Sequence, residues 1–588
     1  MVVLGATPTR RDSWWRPELK EYGEVGNAYD GDYDGFSRNW AVPDSDQSRP
    51  YLTWVNKLSR SGWVHLQVLA DFMSIGTVPQ RWEELTLDGP LLSGSEVEDR
   101  KEKRRKRIEK TNVCVLDYYP TEVKKKTFIS SSLLKESLDN GVADSNLKFR
   151  LYVVEDLSRD VIEILGHKFK VEPDFFRVQV ADFAWYNVRD RWRNPPLLDI
   201  TSKSQNWMQL RYVTARYFDS SKGYQTSFKQ ACDEAAEFNV LRRVDNDLSN
   251  KSVWDNPKAI MGLTRSRAAL WLQPEANRQG PPIGILLLDP TVKEGVPLWR
   301  GRRTLWPMPS YEAVNTESPP QQGNFFEDFV FWAQQTNLYP NFNTEDTPKA
   351  LIPMQVLLHL VGSEWLTMSD YIKTRITQLD WEIMKPEFFG LGKEGVTKML
   401  QKLHMWRRLV PLYREMVGEA IRHVDQFSPR IQRCTAASGT SPTTEMPHME
   451  NETQPSSIES YRQDYSLVLS QLEEYQRRVD QLTSVVTAII SIENSQRSLQ
   501  DNQNIGRLTW LATIFIPLSL IAGVLSIQPD IRQIDRYTFT VYFATSLPLA
   551  FVIAIVGSAV SRNRSPDQKA QVGFIHSVWN SWAHSKNS

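Results

Sequence analysis

Cysteine is scarce. The three in 588 residues, Cys114, Cys232 and Cys434, stand too far apart for a disulfide framework, which suits a reducing compartment. Charge of one sign is also missing, since 70 basic residues balance 70 acidic ones. A balance of that kind gives no general nucleic-acid-binding surface. The eight histidines never fall three or four apart, which removes a helical pair of zinc ligands. There is no Walker loop, no GxGxxG after a strand, no GxSxG, no HExxH and no CxxC. No catalytic constellation is visible, so the expectation is a protein that is not an enzyme and carries no cofactor. The N-terminus, MVVLGATPTRRDSWWRPELKEYGE, has no apolar core and carries acids early, so neither a secretory signal nor a transit peptide fits it.

Long hydrophobic runs are absent from the first 500 residues or so, then two arrive together. Leu508 to Ile527 contains no charged residue. At 1.5 Å per helical residue it is about 30 Å long, the thickness of a bilayer's hydrocarbon core. A short polar loop follows, and Tyr537 to Val560 is again free of charge. Backbone in lipid must satisfy its own hydrogen bonds, so two such segments predict a helical hairpin. Arg507 precedes the first span, and Arg562, Arg564 and Lys569 follow the second, while Arg532 and Arg536 in the loop are offset by Asp530 and Asp535. That bias places both termini in the cytosol. The sequons at Asn250 and Asn451 would then stay unmodified.

The remainder reads as a soluble chain with 24% charged residues. Residues 1–145 carry no clear pattern beyond tryptophans, short turns and a basic run, Arg100–Lys110, that reads first as a solvated helix face. Between 146 and 300, strand-like runs (Leu151–Leu157, Trp207–Phe218, Ala268–Gln273, Ile283–Asp289) alternate with helical stretches. Ser158 is placed to cap the helix at 159–169, and Pro173 stands in the first turn of the next. This alternation predicts an α/β domain. Residues 301–433 read as helical. Residues 434–457, rich in Ser, Thr, Pro and Glu, read as a flexible insertion. No proline interrupts the chain between Pro455 and Pro517. Tyr461, Tyr465, Val468, Leu472, Tyr475, Val479, Leu482, Val486 and Ile489 follow a 4-3-4-3 spacing, the seam of a coiled coil or bundle. The expectation is a stalk helix over 458–507 running into a span at 508–527. A loop at 528–536, a second span at 537–560 and a cytosolic tail at 561–588 complete the chain. The fold class is therefore an α/β cytosolic domain followed by a long stalk helix and two C-terminal transmembrane helices.

The run IGRLTWLATIFIPLSLIAGV resembles the first membrane helix of CorA-type divalent-cation channels, through the pattern LT..ATIF.PL..IAG. LYVVEDLSRDVIEILGHKFKVEPDFF resembles that family's strand–helix–helix opening, and RRLVPLYREMV its helix before the stalk. Length and style resemble the diverged CorA-like proteins of filamentous fungi. The resemblance implies a homopentamer, with the first membrane helix of each subunit lining a central pore. Carried over, Asn502, Ile505, Leu508, Ile516 and Ser519 would face the pore axis, and Gly523 continues the stripe. Rings of Ile and Leu gate by dewetting. The same stripe would serve equally as a lipid-facing or helix-packing surface.

One departure from the family pattern stands out. Where the family carries Gly-Met-Asn, this chain has Ser526-Ile527-Gln528 and then Pro529. The family's asparagine ring receives a hydrated Mg²⁺, an ion that sheds water reluctantly. Gln528 keeps an amide carbonyl on a longer stem and would meet the ion only through its water shell, with Asp530 and Asp535 as attracting loop charges. Two functions are implied. One is a channel passing Mg²⁺ or another divalent cation with altered selectivity, in the plasma or vacuolar membrane. The other is a non-conducting, membrane-anchored interaction or sensor protein that binds cytosolic partners.

Overall fold

The computed structural model describes residues 49–78, 94–140, 146–180, 196–218, 224–240, 242, 244–247, 259–274, 280–299, 323–335, 349–385, 395–436, 457–526 and 536–562. The chain divides into two units, 1–483 and 484–588.

The first unit opens with helix α1 (Pro50–Arg60), one turn of 3-10 helix and α2 (Gln67–Ile75), which ends on Gly76 in the left-handed conformation (φ 79°). Helix α3 (Gly94–Glu109) holds the basic run. Its outward Lys103, Arg105 and Lys106 pair with Asp99 and Glu102. Arg107, by contrast, is buried, and Arg104 donates to the Ile75 carbonyl at 2.9 Å. The basic run is therefore only partly a solvated face: two of its arginines turn inward and tie α3 to its surroundings.

Strands β1 (Val113–Tyr118) and β2 (Val123–Phe128), then α4 (Ser131–Asp139), follow. Next come β3 (Phe149–Glu155), α5 (Arg159–Phe169), α6 (Pro173–Val180), the short α7 (Asp199–Ser202) and β4 (Trp207–Phe218). After α8 (Tyr224–Ala236) come β5 (Val244–Asn246), β6 (Ile260–Leu272), β7 (Ile283–Leu288) and β8 (Val296–Pro297). The eight strands form one sheet in the order β2-β1-β3-β7-β6-β4-β8, with β5 beside β6. Among the described residues only β3 and β7 pair in parallel. Two strands lie in the stretch where sequence pattern carries no assignment. The lysines of β2 mark it as an edge strand, where charge discourages pairing with another chain. Ser158 takes the cap position of α5 with extended backbone, yet its hydroxyl makes no capping bond.

One sheet face packs under α1, α2, α5 and α6. Its core joins Tyr51, Leu69 and Phe72 to Val115, Tyr152, Ile162, Phe175, Trp271 and Leu287. One close approach is Tyr51 over Gly166, where any Cβ would sit 2.7 Å from the ring. Glu163 fixes the same joint by accepting the Tyr51 and Leu52 N–H groups at 2.8 and 3.0 Å. Those donors have no partner inside α1.

The other face meets α9 (Phe325–Trp332), α10 (Leu351–Met384) and α11 (Gly395–Ala436). Trp365 donates to the Arg211 carbonyl on β4 at 3.1 Å, and Tyr118 donates to the Ala333 carbonyl beyond α9. Helix α12 (Ser457–Leu525) runs for 69 residues, about 100 Å. Within the first unit it packs along α10 and α11. Tyr465 donates to the Leu358 carbonyl, Ser369 to Gln471, and Arg478 pairs with Asp380. Of the seam positions, Tyr465, Val468, Leu472, Val479, Leu482 and Val486 are buried. A buried, heptad-spaced stripe is what that spacing implies. Helix α13 (Arg536–Arg562) completes the second unit.

Candidate functional site

Among the described residues two helical stretches are long and apolar enough to cross a membrane, one in the C-terminal part of α12 and the other in α13. Leu508 to Val524 and Phe539 to Val556 are largely exposed, as apolar surface is when its solvent is lipid. Several threonine hydroxyls fold back on their own helices. Thr509 donates to Ile505 and Thr513 to Thr509, both at 2.8 Å, while Thr545 donates to Val541 at 2.7 Å. Each bond keeps a hydroxyl from meeting hydrocarbon unpaired. Pro517 and Pro548 lie inside the helices, and having no N–H they leave the carbonyls of Thr513 and Ala544 without their usual helical donors.

Each span carries its buried positions on one face. On α13, Ser546 and Ala550 are buried, Tyr542 and Ala554 are half-buried, and these four recur every fourth residue. On α12 the buried Pro517 shares a face with the half-buried Ile514, Leu518 and Ile521. The Tyr542 hydroxyl bridges the pair by donating to the Leu518 carbonyl at 3.4 Å. This packing stripe is legible in the sequence as small residues four apart, but it escapes a reading that follows hydropathy alone.

The stripe singled out from sequence lies elsewhere on α12. At 3.6 residues per turn, Ile505, Leu508, Ile516, Ser519 and Gly523 centre on the side opposite the face that packs on α13. Ile505, Leu508 and Ile516 are 60%, 68% and 67% exposed. Asn502 and Ser519 are exposed as well, and nothing lies within 4 Å of a Cβ placed on Gly523. In the neighbouring helical stretch Val485, Ile492 and Leu499 are exposed at seven-residue intervals, a second apolar line that the 461–489 seam does not include. Ser526 is exposed, and its N–H bonds the Ala522 carbonyl at 3.0 Å. Ile527, Gln528, Asp530 and Asp535 lie outside the described residues. Among the described residues no group of three or more His, Cys, Asp or Glu side chains is placed to hold a metal ion.

These elements define a two-span helical hairpin whose first helix is the end of a 69-residue helix that starts on an α/β domain. Residues 441–557 match the family model described as CorA-like Mg²⁺ transporter protein. The matched range holds all of α12, the loop and most of α13. No curated protein matches the chain. Similar solved structures include the complete structure of the CorA magnesium transporter from Methanocaldococcus jannaschii. It is 10% identical, with a TM-score of 0.33, and the alignment covers 77% of this chain and 98% of that one.

Proposed function

We propose that this protein is a CorA-like divalent-cation channel rather than an enzyme, with Mg²⁺-class ions as its substrate and a filter altered from the family's. The observation that carries this reading is the coincidence of the family match at 441–557 with an exposed stripe on the first span. Isoleucine and leucine at 505, 508 and 516 would form apolar constrictions when copies of the chain assemble, with Asn502 and Ser519 offering polar atoms on either side of them. The exposed line of Val485, Ile492 and Leu499 supports assembly as a homo-oligomer, and a pentamer is the form we propose. Both termini would lie in the cytosol of a cell whose plasma or vacuolar membrane holds the hairpin. Gln528 would meet the hydrated ion through its amide carbonyl, with Ser526 and Ile527 shaping the mouth and Asp530 and Asp535 raising the local cation concentration.

A second reading rests on the triplet itself. Ser526-Ile527-Gln528 followed by Pro529 removes the glycine's freedom and the asparagine amide together. A pore retired from conduction, with residues 1–145 and the insertion at 434–457 binding partners, would account for both losses. Ion flux into proteoliposomes holding a Mg²⁺- and Co²⁺-sensitive dye separates the two. Wild-type flux that changes in Gln528→Ala supports the channel. Silence in the wild type, with flux once residues 526–528 are replaced by Gly-Met-Asn, supports the anchored partner-binding protein.

A further inference from the structure

The first sixteen described residues, Arg49 to Val64, contain three cations and no acid. Arg49 is engaged with Asp160. Lys57 and Arg60 are exposed on the last turns of α1, and neither has an ion-pair partner among the described residues. Together with Thr53, Asn56 and Ser61 they line an open concavity of about 470 Å³. Trp54 and Trp63 flank this stretch and stay 41% and 54% exposed. Exposed indole on the same short stretch as an exposed ammonium and guanidinium is surface suited to a ligand that is both acidic and aromatic. The opposite side of α1 is already committed, through Tyr51, to Gly166 and Glu163.

We infer that this face of α1 docks residues 21–36 of the same chain. That segment reads EYGEVGNAYDGDYDGF: five acids (Glu21, Glu24, Asp30, Asp32 and Asp34), no cation, three tyrosines and Phe36. Its charge and ring content are the complement of the face, so Coulomb attraction and ring contacts act on the same segment. The reach is suitable. Residues 37–48 join the segment to the start of α1, and a flexible twelve-residue linker would span about 20 Å end to end. Lys57 and Arg60 stand only about 10 and 15 Å along the helix from Pro50. A tether matched to its span gives an effective concentration in the millimolar range, so a contact of modest strength is populated within one chain. The inference is independent of the ion-path reading, because both partners belong to the first unit.

Amide hydrogen exchange on the full-length protein in detergent tests it. The wild type is expected to protect amides in 21–36, and Lys57→Glu with Arg60→Glu to abolish that protection by at least tenfold in rate. Asp30→Lys, Asp32→Lys and Asp34→Lys are expected to do the same, and the five substitutions combined to restore it. Restoration in the combined variant assigns the loss in each separate set to charge, because a set that acted by unfolding the chain would not be rescued by the other. Unprotected 21–36 in the wild type, or no response to Lys57→Glu with Arg60→Glu, overturns the inference. So does protection that rises with protein concentration, which would make the occupant a second copy, or protection that appears only with anionic lipid vesicles, which would make it a membrane.

Discussion

The Tyr465 hydroxyl of α12 donates to the Leu358 carbonyl of α10 at 3.0 Å, and the whole side chain is buried. Burial, with Tyr461 and Asp464 adding to it, pushes the phenol well above its ordinary range, so it stays a donor. Tyr465→Phe keeps the ring and loses one hydrogen bond, which is expected to cost about 1 kcal/mol. Tyr465→Ala opens a cavity and is expected to cost about 3–5 kcal/mol. Denaturant melts of the full-length protein in detergent check both. Equal losses in the two variants would mean that the ring contributes nothing to the packing of α12.

The joint between α1 and α5 is expected to fail before the rest of the first unit. Gly166→Ala places a methyl 2.7 Å from the Tyr51 ring, a clash of a kind that costs about 1–3 kcal/mol. Glu163→Ala leaves the Tyr51 and Leu52 N–H groups without their acceptor and is expected to cost about 0.5–2 kcal/mol, as lost caps do. Limited proteolysis should cut first near residues 49–78 in both variants. Protection unchanged from the wild type would contradict the docking geometry.

His423 on α11 predicts a pH dependence. Burial, followed by the charges of Arg422 and Arg211, lowers its imidazole from 6.5 to about 4. The unfolded chain takes up a proton below about 6.5, and the fold resists until about 4. Stability from this group is therefore fully present above 6.5 and is lost as pH falls through that window. Comparing Tm at pH 7 and pH 5 isolates the effect. The wild type should lose more than His423→Gln, and equal losses would assign the slope to other groups.

What the sequence discloses follows from where the physics is local. Charge-free runs and a 4-3-4-3 seam are properties of one segment, so α12, α13 and the buried Tyr465, Val468, Leu472 and Val479 were legible in advance. Strand β2 was not, because Lys124, Lys125 and Lys126 hide an edge strand from any apolar pattern. The α1–α2 pair was illegible for another reason: it is held by Tyr51 meeting Gly166 and Glu163, more than 110 residues away. Arg104 and Arg107 likewise turn inward for tertiary reasons that a charge run does not reveal. At the candidate site the stripe of Ile505, Leu508 and Ile516 follows from helical spacing, and its opposition to α13 follows once Tyr542 is seen to reach Leu518.

The central claim is that this stripe lines an ion path, and divalent-cation flux through proteoliposomes tests it most directly when the apolar positions are made wettable. Leu508→Ser and Ile516→Ser are expected to raise flux severalfold over the wild type, because dewetted constrictions then hold water. Flux identical to the wild type in both variants, or none in any of the three, would contradict the claim.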